Sequence, residues 1–142
     1  MNSPKTLIVI MLTALSAPAF SETVLETDDN VATLTGSWAS ATAPAGYYGS
    51  DYATATAGDA TDTARFASLR PITTSGTWCI QARWIAGGNR STAARYQVFD
   101  GTTSRGTFTA NQKTDGGAWR RLGCVVLTAG NTSEVRLSDT GS

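Results

Sequence analysis

Apolar and polar residues alternate along much of this chain with a period of two. In TWCIQARW (77–84), Trp78, Ile80, Ala82 and Trp84 fall on one side of an extended backbone, and Thr77, Cys79, Gln81 and Arg83 on the other. The first set is expected to face a core. Short segments of β-branched and aromatic residues recur at VATLTGSW (31–38), YYGSDYATATA (47–57), TDTARFASL (61–69), GTWCIQARWIA (76–86), ARYQVFD (94–100), TSRGTFTANQ (103–112), AWRRLGCVVLTA (118–129) and SEVRLSD (133–139). Turn chemistry separates them: Asp100-Gly101 is a strong hairpin signal, with Asp115-Gly116-Gly117 and Gly130-Asn131 as further corners. ASATAPAG (39–46) reads as a loop. No window repeats its apolar residues every 3.6 positions, so no long helix is expected. The pattern predicts an all-β sandwich or barrel.

The first residues break this pattern. MNSPK carries a positive charge, TLIVIMLTAL (6–15) is continuously apolar in character, and SAPAFSE supplies small residues. That order is the order of a secretory signal peptide, with cleavage expected after Ala19 or Ser21. The domain boundaries are then 1–21 for the leader and 22–142 for one β-sandwich domain, secreted to the extracellular side. The apolar run is too short to span a bilayer and no second one follows it, so the membrane is not an expected partner.

Export changes the reading of Cys79 and Cys124. In an oxidising compartment an even cysteine count favours a disulfide, with two free thiols as the alternative. In LGCVVL (122–127), Leu122 and Val125 cannot both point inward on a regular strand. A bulge at Gly123 would resolve the conflict, turning Val125 and Leu127 inward and Cys124 outward, on the same kind of face as Cys79.

Composition then removes several chemistries. Without Lys5 the chain keeps ten basic side chains against eleven acidic ones, scattered rather than striped, so nucleic acid is not an expected partner. The sequence contains no histidine, which excludes a Ser-His-Asp triad and the usual zinc sites. Carboxylate chemistry would have to use Asp51, Asp59, Asp62, Asp100, Asp115 or Glu134, and most of these sit in predicted turns. No enzyme activity and no cofactor are expected. Asp28, Asp29 and Asn30 are oxygen-rich enough for calcium, but three adjacent residues cannot converge on one ion from an extended chain, and a turn is the expected reading.

Aromatic residues remain. Tyr47, Tyr48, Tyr52 and Trp84 provide planar surface for stacking on sugar rings, and Asn89 and Arg90 in the glycine-rich loop AGGNR provide hydrogen bonds. Trp78 is expected in the core. Trp84 ends its strand beside that loop.

Three stretches carry a resemblance: GSWASATAPAGYYGSDYATATAGDATDTARF (36–66), GTWCIQARWIAGGNRSTAARYQVFDG (76–101) and NQKTDGGAWRRLGCVVLTAGN (111–131). In order and spacing they resemble the golvesin C-terminal-like domain, also found as the carbohydrate-binding-like domain at the end of xanthan lyases. The resemblance implies a jelly-roll-like antiparallel β-sandwich that binds polysaccharide and does no catalysis. Carried onto this chain, the ligand-binding residues it implies are Tyr48, Asp51, Tyr52, Trp84, Asn89 and Arg90. It also implies a further apolar strand where the chain reads LSDTGS, so the sheet is expected to lack its last strand and have an open edge. Three explanations stand: a reading frame cut short, a strand from another chain or from self-association, or the segment ETVLETDD (22–29) in that place. The edge supports an alternative function, a structural or adhesive module acting through protein–protein contacts.

Overall fold

A computed structural model describes residues 4–6, 10–14, 23–25, 32–47, 50–56, 61–67, 72 and 74–138. Every regular element among the described residues is a strand, numbered here in chain order: β1 (Pro4–Thr6), β2 (Ile10–Ala14), β3 (Thr23–Leu25), β4 (Ala32–Thr35), β5 (Trp38–Ala41), β6 (Tyr52–Thr56), β7 (Thr63–Ala67), β8 (Gly76–Ala82), β9 (Ala94–Asp100), β10 (Thr103–Ala110), β11 (Arg120–Leu127) and β12 (Ser133–Ser138). All pairings are antiparallel. One layer is an unbroken five-stranded sheet, β10-β9-β12-β7-β4. The other is in two pieces, β11-β8-β2-β3 and β1-β6-β5.

The core lies between these layers, and its members follow the period-two pattern. Phe66, Tyr96, Val98, Val135 and Leu137 come from the five-stranded sheet, and Trp78, Ile80, Ala82, Val125 and Leu127 from β8 and β11. Trp38 and Ala53, on β5 and β6, pack against them partly buried. Each fully buried apolar side chain contributes about 1.5–3 kcal/mol, which makes this cluster the main source of stability. The fold is therefore the jelly-roll-like β-sandwich expected.

Several boundaries differ from the sequence pattern. VATLTGSW is two strands, β4 and the start of β5, because Gly36 takes a φ of 97° between them. The turn carries the chain from the five-stranded sheet to the other layer, and the buried carboxylate of Asp62 accepts the Ser37 N–H at 2.6 Å there. β5 extends into the expected loop ASATAPAG, and among the described residues of YYGSDYATATA the strand is Tyr52–Thr56.

The β8–β11 pair carries the disulfide. Cys79 stands directly opposite Cys124 and is bonded to it. Cys124 is exposed, as expected, whereas Cys79 is fully buried although it has the opposite parity to Trp78 and Ile80. β8 is flanked by strands on both sides, which explains the difference. The bulge lies one residue earlier than expected: Arg121 pairs with Gln81 and Gly123 with Ile80, leaving Leu122 as the extra residue. Gly123 has another purpose. A Cβ there would lie 2.1 Å from Cε1 of Phe108, so the glycine makes room for a ring reaching across from β10.

Of the segment ETVLETDD, offered as one of three ways to fill an open edge, only residues 23–25 are described. Thr23–Leu25 pairs with β2, outside β8. The remaining edges of β6 and β8 are paired by β1 and β2, both within the residues read as a leader. Asp28, Asp29 and Asn30 lie outside the described residues.

Candidate functional site

Two regions bear on binding: the loops at one end of the sandwich, where the sequence pointed, and the outer face of the five-stranded sheet. At the loop end, residues 42–47, 83–93 and 111–119 meet. The indole N–H of Trp84 donates to the Thr114 carbonyl at 2.8 Å, and Gly117 N–H donates to the Trp84 carbonyl at 2.8 Å. Gly116 sits so close to this segment that a Cβ would lie 2.4 Å from Ala86 N. Arg83 Nε donates to the Gly46 carbonyl at 2.9 Å, which ties in the third loop.

Beneath them Gln112 is fully buried. Its backbone N–H donates to the Ser91 carbonyl at 2.8 Å and its Nε2 to the Tyr96 hydroxyl at 3.1 Å. Burial pushes the Tyr96 phenol far above its ordinary pKa, against the opposing effect of the Gln112 hydrogen bond, so it stays a neutral hydrogen-bonding group.

The residues singled out from the sequence divide sharply. Trp84 is only 5% exposed and Tyr52 also 5%, with the Tyr52 hydroxyl donating to the Ala43 carbonyl. Neither offers a ring face to a ligand; both hold loops in place. Arg90 is buried, and its Nε has no hydrogen-bond partner. Asp51 is half-buried and accepts from the Ser40 hydroxyl. Asn89 is exposed. Tyr47 is half-buried, its ring 5.8 Å from that of Tyr52. Tyr48 lies outside the described residues. The structure thus places Trp84, Asn89 and Arg90 on one loop and Asp51 and Tyr52 at the start of β6, with Arg83 tied to the preceding loop through Gly46.

The outer face of the five-stranded sheet is different in kind. One row across it is Thr33, Arg65, Arg136, Gln97 and Thr107, one residue from each strand in register. The next is Thr35, Thr63, Ser138, Arg95 and Thr109. A third brings Ala67, Glu134, Phe99 and Ser104 together. With strands about 4.8 Å apart, the rows span roughly 19 Å. Hydroxyl, amide and guanidinium groups thus cover a broad surface.

Its electrostatics are positive. Arg65, Arg95 and Arg136 face a single carboxylate, Glu134. Arg65 and Arg136 both donate to Glu134, and the Arg136 guanidinium lies 4.1 Å from the centre of the Phe99 ring. Burial alone would raise the Glu134 pKa; the hydrogen bonds and charges of Arg65 and Arg136 outweigh it and hold the group below its ordinary value. Arg95 is exposed and has no acidic partner among the described residues.

Apart from Glu134, these face residues were not singled out from the sequence, although a signal was present. In ARYQVFD, Ala94, Tyr96 and Val98 are the inward set, which leaves Arg95, Gln97 and Phe99 outward. In SEVRLS the same parity puts Arg136 outward between Val135 and Leu137. Register then joins strands distant in sequence. Among the described residues no group of three or more histidine, cysteine, aspartate or glutamate side chains could hold a metal ion.

No curated protein matches the chain. Among solved structures it is similar to a Paenibacillus xanthan lyase, with a TM-score of 0.67 and 25% identity, over 93% of this chain and 12% of that one. The chain therefore spans only a small part of that enzyme's length. Residues 22–142 match the model of the Golvesin C-terminal domain, which is most of the sequence and all of the strands from β3 onward. The chain belongs to the golvesin C-terminal domain family.

Proposed function

We propose that this domain is a non-catalytic polysaccharide-binding module of an exported protein, and that the outer face of the five-stranded sheet is its binding surface. The observation that carries the reading is the set of in-register rows on that face: guanidinium, amide and hydroxyl groups on a broad, open sheet. Such groups match the hydroxyls and carboxylates of an extended sugar chain, and the Phe99 ring adds apolar contact. The likeness to part of a xanthan lyase supports a polysaccharide as ligand.

Two of the acidic residues have structural work to do. A general acid working near neutral pH needs a raised pKa. Asp100 and Glu134 are buried carboxylates whose pKa values are both lowered, since hydrogen bonds outweigh the effect of burial. Each is committed to holding its neighbours. The disulfide fits an oxidising, extracellular setting.

Affinity electrophoresis tests the reading. The purified protein, run in native gels containing acidic or neutral polysaccharides, is expected to be retarded by at least one of them, most strongly by an acidic one at low salt. Unchanged mobility in every gel would sink the proposal.

A second reading, an adhesive module acting through protein contacts, is favoured by a separate observation: β1 and β2, which pair the edges of β6 and β8, lie within residues that read as a removable leader.

A further inference from the structure

The cations of this domain divide by what they touch. Arg65 and Arg136 pair with Glu134, Arg105 with Asp100 and Arg120 with Asp115, and Arg83 Nε donates to the Gly46 carbonyl. Arg95, Lys113 and Arg121 are exposed, so water satisfies them. Arg90 belongs to neither group. It is only 8% exposed, its Nε is buried without a hydrogen-bond partner, and no carboxylate among the described residues pairs with it.

A guanidinium carries a fixed positive charge and five N–H donors, and burying it without a partner is among the more costly arrangements a fold can hold. A loose loop does not explain it, because this loop is clamped. Gly87 N–H donates to the Gln112 carbonyl at 3.4 Å and Gln112 N–H to the Ser91 carbonyl at 2.8 Å, so both ends of residues 87–91 rest on one fully buried residue. Between them Arg90 N–H closes a turn on the Gly87 carbonyl at 3.0 Å, and Ala93 N–H donates to the Ser91 hydroxyl at 3.1 Å. A Cβ on Gly87 would lie 3.2 Å from Asn89 Oδ1 and 3.6 Å from Arg90 Nε, whereas one on Gly88 would meet nothing within 4 Å. Gly87 thus packs against the Arg90 stem, while Gly88 faces open space.

The group that completes a guanidinium is an oxyanion, above all a carboxylate, whose two oxygens match its parallel N–H groups. We propose that the loop of residues 87–91 is a binding site for a carboxylate carried by an acidic sugar, and that Arg90 is the residue that receives it. The sugar as carrier rests on the polysaccharide reading; the carboxylate rests on Arg90. This site is distinct from the rows on the outer face of the sheet, although the loop leads into β9, whose second residue, Arg95, lies on that face.

The purified protein is titrated with sodium glucuronate, sodium acetate and neutral glucose at matched ionic strength, and ¹⁵N–¹H spectra follow the Arg90 Nε–H and the backbone amides of Gly87, Gly88 and Asn89. Glucuronate is expected to move these resonances saturably, acetate more weakly, and glucose not at all. Acetate acting as strongly as glucuronate would overturn the sugar as carrier. Shifts confined to Arg95 and Arg136 would overturn the loop site and leave the polysaccharide reading standing. Saturable shifts at the loop, in a protein that no polysaccharide retards, would support the loop site and overturn the sheet face.

Arg90→Met adds a readout that a structural role would move the other way. An arginine that holds the loop together lowers the melting temperature when it is replaced, whereas removing an unpaired buried cation does not. The variant is expected to melt no lower than wild type and to lose the glucuronate response at Gly87, Gly88 and Asn89. A fall of more than about 5 °C, or a response that survives the substitution, overturns the proposal.

Discussion

The two layers of the sandwich solve the same packing problem with unequal resources. The five-stranded sheet is drawn entirely from residues 32–138, and its three interior strands are paired on both sides. The opposite layer is in two pieces, β11-β8-β2-β3 and β1-β6-β5, and takes β1, β2 and β3 from the N-terminal residues 4–25. The complete sheet can leave its outer side chains free for a ligand, since none of its ladders needs a partner. The incomplete layer relies on covalent and local devices: a disulfide, a bulge, and a ring borrowed from across the core.

The disulfide should have the largest effect. It closes a separation of 45 residues, for which the chain-entropy estimate is about 4 kcal/mol. Cys79→Ala with Cys124→Ala is expected to lower the unfolding free energy by that amount in urea titrations. A loss below about 1 kcal/mol would break the comparison, because the β8–β11 pair would then be as self-sufficient as the other sheet.

Next comes the fixed corner of the five-stranded sheet. Asp100, at the end of β9, accepts from Arg105 at 2.8 Å, from the Thr128 hydroxyl at 2.9 Å and from Asn131 at 2.9 Å, so one buried carboxylate ties the β9–β10 hairpin to the loop before β12. Burial by itself would raise its pKa, but these hydrogen bonds prevail and lower it. A carboxylate with a depressed folded pKa stabilises fully above its unfolded pKa, and the contribution is lost as pH falls through the folded one. Asp100 and Glu134 should therefore give a stability plateau above about pH 5 and a decline below about pH 4. Asp100→Asn is expected to cost about 3 kcal/mol on the plateau and to flatten the acid limb, as followed by urea midpoints against pH.

Gly123 sharpens the comparison at the seam between the layers. In Gly123→Ala the new methyl would collide with the Phe108 ring, at an expected cost of about 2 kcal/mol. Phe108→Leu in the same chain should return part of that loss, a coupling visible in a double-mutant cycle. Strictly additive effects would show that the ring does not bridge the layers.

How much of this was legible in the sequence depends on range. Alternation along one strand is a local property, so the inward set of β8 and the sandwich itself could be read directly from TWCIQARW. The same alternation places Trp84 with the inward set, and it is buried, its indole held by the Thr114 carbonyl; Tyr52 could not be assigned a face in that way, because it begins β6 and its hydroxyl is held by a loop carbonyl, that of Ala43. The bulge was misplaced by one residue for a similar reason. Gly123 looked like a backbone device, whereas its small size serves Phe108, a residue on another sheet. Arg65, Arg95 and Arg136 lie far apart in the chain and become neighbours only through strand register.

The smallest effect on stability should accompany the largest on binding. Arg95 is exposed on the outer face and pairs with no acid among the described residues, so Arg95→Glu should leave the unfolding free energy within about 0.5 kcal/mol. Reversing that charge places a second carboxylate on the surface, while Arg65 and Arg136 stay engaged with Glu134. Retardation by an acidic polysaccharide should then fall at low salt and converge with wild type as salt screens the charge. Asn89→Ala at the loop end is the matched comparison, since that side chain is also exposed and plays no part in the core. If Asn89→Ala abolishes retardation and Arg95→Glu leaves it intact, the binding surface belongs to the loops. The reverse result assigns it to the complete sheet, whose outer face is free to serve a ligand because its ladders already hold it together.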